Sequence, residues 1–282
     1  MIALATCKQY PDLVDEERQL IGLLKARGVE AHAAVWNSPS VDWSKFKTVV
    51  LRSTWDYYTH YGDFIQWLVK LEMYGVHVFN SVQTIRWNLN KKYLKEFESS
   101  GIAILPTRWL REGSDLEREV QAAGWKDCIL KPSVSADGHA TIRFAAVDAS
   151  SFQGFLEAHS KNSVMMLQPY MSGIEQGEKS YLFFDRKFSH AVLKYPRSGE
   201  FRVQSSHGGT KELFKPVHSD LAFSERILKL VPGRLLYARV DMIQDSGNTY
   251  LCELELVEPC LYFAQKPGSA EVFVDALVRY LV

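Results

Sequence analysis

The stretch Tyr250 to Phe263, YLCELELVEPCLYF, alternates apolar and polar residues, as does Ala238-Arg239-Val240-Asp241-Met242 just before it. Such period-two alternation marks strands with one face in a core. Gln244-Asp245-Ser246-Gly247-Asn248 between them is a run of turn formers, so a hairpin is predicted. On its second strand Glu253 and Glu255 project from one face, Leu254 and Leu256 from the other. Two like charges side by side repel, and strand stability gives no reason for them. The residues alone leave two readings. One is a hard divalent cation such as magnesium, which takes carboxylate oxygens and leaves room for waters and phosphates; the other is a solvated strand face. For Asp241 to share an ion with Glu253 the two must lie opposite each other. That requires an odd number of residues between the strands, for instance Asp245 to Thr249. A four-residue connection, Asp245 to Asn248, would set Asp241 against Cys252 instead.

A chain of 282 residues exceeds a typical single domain, so two or three domains or subdomains are expected. Hydrophobic and charged contents of 46% and 23% are those of a folded protein with a sizeable core. Lys plus Arg and Asp plus Glu are both 33, which argues against a general nucleic-acid or membrane-surface binder. Cys7, Cys128, Cys252 and Cys260 show no C-x-x-C or disulfide-like spacing, which suits a reducing compartment. Met1 to Cys7 is too short for a signal h-region, and no apolar run approaches the roughly 18 residues of a spanning helix. A cytoplasmic location is expected.

From the amino terminus, short apolar strands at Ile2 to Thr6, Ala31 to Trp36, Thr48 to Leu51 and Val76 to Phe79 alternate with helical patterns ending before Gly28 and Gly75. This order predicts a small doubly wound parallel sheet over residues 1–84. Ligands of such sheets sit at the carboxyl ends of strands. There Arg52-Ser53-Thr54-Trp55-Asp56-Tyr57-Tyr58 offers a guanidinium, hydroxyls, an indole, a carboxylate and phenols. Arg52, Thr54, Trp55, Asp56 and Tyr57 are therefore the expected substrate-side residues, against the plainer reading of Trp55 and Tyr57 as core and Arg52 paired with Asp56. No G-x-G-x-x-G loop follows a strand, which excludes a dinucleotide role for this part.

After Ser81 the pattern changes. Two helices are predicted at Ser81 to Asn88 and Asn90 to Ser100, a strand at Thr107 to Leu110 and a helix at Leu116 to Ala123. The strand Asp127 to Pro132 places Lys131 directly before the small-residue loop from Ser133 through Ser135 to His139, a combination suited to cradling phosphate. Strands are expected at Val164 to Tyr170, Lys179 to Phe184 and Phe188 to Tyr195. The polar, glycine-containing loop Pro196 to Lys211 has the length of a functional lid. Helices at Ser219 to Leu230 and Ala270 to Leu281 flank the hairpin.

In that order, NKKYL at Asn90 to Leu94, ILKPSVSADG at Ile129 to Gly138 and LQPYMSGIEQGEKSYLFFD at Leu167 to Asp185 resemble the motifs of ATP-grasp ligases. SGEFRVQSSHGG at Ser198 to Gly209, RVDM at Arg239 to Met242 and ELELVEP at Glu253 to Pro259 continue the series. The likeness is to bacterial glutathione synthetase and, in RSTWDY, TIRWN and ELELVEP, to the cyclo-ligase branch that closes D-cycloserine from O-ureido-D-serine. The fold this resemblance implies is α/β (α+β). It has an amino-terminal doubly wound pre-ATP-grasp domain, residues 1–84, and two ATP-clamping subdomains, residues 85–166 and 167–282, the latter carrying the metal site.

The resemblance also implies roles. Lys92 and Lys131 would reach the nucleotide phosphates, with Ser135 in the phosphate loop. Gln168, Pro169 and Tyr170 would line adenine and read its edge with backbone groups. Glu175 or Glu178 would hold the ribose, and Arg202 would contact the transferring phosphoryl group. Asp241, Glu253 and Glu255 would bind magnesium, two ions in the usual arrangement, with manganese as a substitute. His207 and Gly208 would approach phosphate or the intermediate, although an ordinary loop histidine is the plainer reading. Glu255 stands where glutathione synthetases carry asparagine, and Ser180 where they carry arginine, which argues against a γ-glutamyl substrate. The implied activity joins or cyclises a small amino-acid-like carboxylate and an amine through an acyl phosphate, in a possible homodimer. Alternatives are a peptide or protein acceptor, or a nucleotide-binding regulator on the same fold.

Overall fold

The computed structural model of the protein describes residues 1–161 and 163–281. In chain order its elements are β1 (Ile2–Thr6), α1 (Asp15–Lys25), β2 (Ala31–Val35), β3 (Thr48–Ser53), α2 (Tyr61–Met73) and β4 (His77–Phe79). Then come α3 (Val82–Asn88), α4 (Tyr93–Ser99), β5 (Arg108–Leu110), α5 (Leu116–Ala123), β6 (Asp127–Pro132), β7 (Ile142–Ala145), α6 (Gln153–Ser160) and β8 (Met165–Pro169). The remainder is β9 (Glu178–Phe184), β10 (Lys187–Tyr195), β11 (Thr210–Leu213), α7 (His218–Leu230), β12 (Tyr237–Asp245), β13 (Asn248–Glu255) and α8 (Ser269–Leu281).

The first four strands form a wholly parallel sheet in the order β2-β1-β3-β4. Successive residues of a strand face opposite sides, and both sides are covered here. Ile2 and Leu4 face a core shared with Leu20 and Leu24 of α1 and Phe273 and Leu277 of α8. Ala3 and Ala5 face a second core with Phe64 and Leu68 of α2. The last helix thus returns to the first sheet. Leu182 and Phe184 of β9 enter the same core, joining the beginning and end of the chain.

An antiparallel sheet of order β5-β8-β6-β7 follows, with a core of its own around Leu116, Leu130, Leu156 and Leu167. The third sheet, β11-β10-β9-β12-β13, is also antiparallel and ends in the hairpin. The edge strands β7 and β11 and helix α6 were not expected from sequence. Each edge strand is four residues long and pairs with one neighbour, so its conformation depends on a partner remote in sequence. Among the described residues no helix is long and apolar enough to cross a membrane.

One buried group ties this fold to pH. His190 of β10 is 3% exposed, and burial pushes its imidazole down to about 4. The unfolded chain holds the proton from about 6.5 downward, so between those values it binds more protons than the folded chain. Stability is therefore intact above pH 6.5 and falls as pH drops toward 4, at up to about 1.4 kcal/mol per pH unit. Denaturant titrations at several pH values are expected to show a shallower slope across this window for His190→Asn. Equal slopes would contradict the assignment.

Candidate active site

A cavity of about 970 Å³ lies where the three sheets meet. That is the upper size of small-molecule sites. Its wall takes Trp55 to Tyr58 from the loop after β3, Ser135 to Gly138 from the β6–β7 loop, and Gln168 to Tyr170 from the end of β8. The β10–β11 loop adds Phe201 to Ser206, and the hairpin adds Arg239, Asp241, Glu253 and Glu255.

The hairpin turns more tightly than the parity argument assumed. Asp245 pairs with Asn248 around Ser246-Gly247, both with positive φ, as a two-residue turn of the primed type requires. That even connection alone would put Asp241 opposite Cys252. A bulge between Asp241 and Met242 restores the register, so Asp241 does pair with Glu253, and Glu255 shares their face.

Each of these carboxylates is held by a cation. Arg239 donates from Nε and Nη2 to Asp241, at 2.9 to 3.1 Å, and from Nη2 to Glu255. Lys194 lies 3.4 Å from Asp241 and also pairs with Glu178. Ser180 donates its hydroxyl to Asp241, so the serine found where an arginine was anticipated serves the same acid. Burial opposes the charge of Asp241, but Arg239 and Lys194 outweigh it and hold the carboxyl down at about 2. Burial pushes Glu255 up to about 7; Arg239 pulls it back, and Glu253 and Asp241 add to the rise.

Lys91 and Lys131 also line the cavity. Lys91 is 6% exposed, donates to the Ser135 carbonyl at 2.9 Å and pairs with Glu253 at 3.0 Å. Lys131, half-buried on β6, makes no ion pair among the described residues, and burial lowers its pKa. The expected Lys92 is exposed at the start of α4 and does not line the cavity. The next residue back in the same NKKYL motif does, and sequence spacing could not separate two adjacent lysines.

The β10–β11 loop is closed against the β6–β7 loop. Ser206 donates to the Asp137 carboxylate at 2.8 Å, and His207 donates from Nε2 to the Asp137 carbonyl at 3.1 Å. Gly138 has φ +68°, and a Cβ there would sit 3.1 Å from Arg202 and 3.4 Å from His207. Arg202 reaches the cavity and is forked onto Glu200 of its own loop. His207 and Gly208 do not line the cavity; His207 fastens the lid, and the Gly208 amide donates to the Ser205 carbonyl within it.

Residues 95–263 match the model of the prokaryotic glutathione synthetase ATP-grasp domain, more than half of the chain. The chain belongs to the ATP-grasp family. Residues 2–80 match the amino-terminal domain model of D-cycloserine synthetase DcsG. The cycloserine biosynthesis protein DcsG of Streptomyces lavendulae is 27% identical over 93% of this chain and 92% of that protein. Glutathione synthetase of Neisseria meningitidis is 24% identical over 96% and 85% of the two chains. The crystal structure of DcsG superposes over 100% of this chain and 99% of its own with a TM-score of 0.89 at 24% identity. D-alanine–D-alanine ligase from Bacillus anthracis with ATP covers 99% of this chain and 96% of its own at a TM-score of 0.71 and 16% identity. The protein is thus an ATP-grasp ligase, an enzyme forming C–N bonds, of a family that uses ATP and magnesium.

Within the ATP-grasp frame several expected site residues stand elsewhere. Arg52 is fully buried and donates twice to Glu17, at 2.9 and 2.7 Å, while Ser53 holds the other oxygen of Glu17. The guanidinium also lies 5.1 Å from the Tyr237 ring centroid. The Arg52 side chain does not line the cavity. Thr54 is buried and off the cavity, whereas Trp55, Asp56 and Tyr57 do line it. Tyr57 is 5% exposed and Asp56 accepts from the Trp36 indole, so the core and site readings of this segment both hold in part. Glu175 accepts from the Tyr170 hydroxyl at 2.8 Å and faces a neighbouring depression, while Glu178 lines the cavity. The Tyr170 amide is already committed to the Asp127 carbonyl, and the Gln168 side chain to Thr107.

What Arg52 and Trp55 hold is the segment leaving β13. Asn80, Tyr237, Trp55, Arg52 and Arg239 donate in turn to the carbonyls of Leu256, Val257, Glu258, Pro259 and Cys260. Five successive carbonyls are thus fixed by side chains from other parts of the fold. Sequence reasoning found the segment but missed Asn80 and Tyr237.

Among the described residues no three His, Cys, Asp or Glu groups converge into a ready-made metal cage. The donors nonetheless suit magnesium: three carboxylates on one strand face, bordering a cavity with room for phosphate oxygens. All three are already engaged by cations: Arg239 bridges Asp241 and Glu255, Lys194 pairs with Asp241, and Lys91 pairs with Glu253.

Proposed function

We propose that the protein is an ATP- and magnesium-dependent carboxylate–amine ligase acting through an acyl phosphate on a small amino-acid-like substrate, with ring closure within one molecule as the favoured form. The observation that carries this reading is the single cavity bordered by unpaired Lys131, by Arg202, and by Asp241, Glu253 and Glu255 on one face. A carboxylate resists amines until one oxygen becomes a leaving group, and phosphorylation supplies that. Phosphoryl transfer needs positioning and charge neutralisation more than a nucleophilic side chain. Lys91, Lys131 and Arg202 would bind and orient the phosphates. The closed lid would exclude water from an intermediate that water destroys. Asp241, Glu253 and Glu255 would hold magnesium, as one or two ions, which would neutralise phosphate charge there. Glu178 would take the ribose hydroxyls once its lysine partner is drawn to phosphate.

The cavity volume accommodates a nucleotide with a small second substrate, and the likeness to DcsG over nearly the whole length of both chains supports the cyclising form. A homodimer in a reducing cytoplasm is part of the same proposal. The test is release of ADP and phosphate from ATP and magnesium with D- and L-amino acids, their O-substituted serine derivatives included. Asp241→Asn and chelation with EDTA are each expected to lower turnover by about 100-fold or more, the scale of a lost electrostatic group. Turnover indifferent to both would remove the metal assignment, and no turnover with any carboxylate would remove the ligase chemistry.

A further inference from the structure

Four carboxylates of the cavity, Glu178, Asp241, Glu253 and Glu255, are each paired with a lysine or arginine. Glu258 is different. It is 7% exposed and lines the same cavity, yet among the described residues its carboxylate accepts no hydrogen bond and makes no ion pair. Buried charges are ordinarily paired, because an isolated one loses its hydration without return. An acid kept in that condition has a partner that arrives from outside.

The Glu258 carbonyl is fixed by Trp55 and its neighbours by Tyr237 and Arg52, so the backbone holds this residue at the cavity wall. Asp15, Glu16 and Asp56, with Trp55, Tyr57 and Tyr58, line the same cavity from the first part of the chain, while Lys91 and Arg239 act on Glu258 through space without pairing with it among the described residues. Acidic and aromatic groups together suit a cationic nitrogen. The phosphate-binding lysines Lys91 and Lys131 line the same cavity from other elements.

Resting on the ligase reading above, we propose that Glu258 is the seat of the acceptor amine: it pairs with the ammonium form of the substrate nitrogen and takes the proton that must leave before that nitrogen can react. The nitrogen lone pair then forms the C–N bond at the acyl carbon. The C–O bond to phosphate breaks, its electron pair leaving on inorganic phosphate, which takes the second proton that the nitrogen sheds as it becomes an amide. The ammonium proton ends on a Glu258 oxygen and passes to solvent on product release. Burial, reinforced by Glu255 and Glu253 and opposed by Lys91 and Arg239, raises this carboxyl to about 8, within the range where an acid exchanges protons with an amine near neutrality.

Glu258→Gln separates the two half-reactions. With ATP, magnesium and the carboxylate of highest turnover, added hydroxylamine traps an acyl phosphate as a hydroxamate; being uncharged at neutral pH, it needs no residue to take a proton first. The variant is expected to form hydroxamate within about 3-fold of wild type, and to lose the natural ligated or cyclised product by about 100-fold or more, the lower end of general-base effects. Its magnesium activation midpoint is expected to stay unchanged. Its melting temperature is expected to be no lower, since glutamine keeps the shape of the side chain and no protein partner is lost. Glu258→Asp, which keeps the charge on a shorter arm, is expected to retain more product than Glu258→Gln; equal loss in both would overturn the proton-accepting role. Product within about 3-fold of wild type in Glu258→Gln would overturn the proposal outright. So would loss of hydroxamate together with a raised magnesium midpoint, which would make Glu258 a metal ligand. Absence of hydroxamate from the wild type would instead sink the acyl-phosphate reading, and this one with it.

Discussion

Arg52→Met is expected to destabilise the protein by about 3–5 kcal/mol, the usual cost of removing one partner from a buried ion pair. Arg52 is completely buried and Glu17 is 1% exposed, so the remaining carboxylate would sit inside the fold with only Ser53 to satisfy it. The bond to the Pro259 carbonyl would vanish as well. Urea titration followed by tryptophan fluorescence measures the loss. Glu17→Met on top of Arg52→Met is expected to recover a large part of it, because the stranded charge is then gone. If Arg52 were a substrate ligand instead, the single variant would keep its urea midpoint and show only a raised KM.

Lys91→Met and Lys92→Met form the second sharp contrast, between neighbours in one motif. Lys91 is buried between the Ser135 carbonyl and Glu253, whereas Lys92 is exposed outside the cavity. Turnover with ATP is expected to fall by about 100- to 1,000-fold in Lys91→Met, as when a preorganised electrostatic donor is removed. Lys92→Met is expected to stay within about 2-fold of wild type, as surface substitutions usually do. Lys131→Met should follow Lys91→Met. The reverse order for Lys91 and Lys92 would return the phosphate role to the exposed residue.

Periodicity made the hairpin, the parallel sheet and most helices legible, because those signals are local. The register of Asp241 against Glu253 was not local. The turn Ser246-Gly247 sets one parity and the bulge beside Asp241 reverses it, and a bulge leaves no mark in an alternating pattern. The partners of Arg52 were hidden for a related reason. Its position at a strand's carboxyl end suits a ligand, but its fate depends on Glu17 in α1 and Pro259 near the other end of the chain. Trp55 and Tyr57, one and three residues beyond Thr54, do reach the cavity. The unpaired state of Glu258 was invisible too, since a string of residues does not show what fails to meet it.

The row of tethered carbonyls from Leu256 to Cys260 has a mechanical consequence. Asn80, Trp55 and Arg52 in the first part of the chain are bolted to the exit of the hairpin, and the strands of both sheets share a core. Those two sheets are therefore expected to behave as one frame. The sheet β5-β8-β6-β7, with its core around Leu116, Leu130 and Leu167, is the part expected to hinge, and the Asp137 latch to Ser206 and His207 is what such an opening would undo.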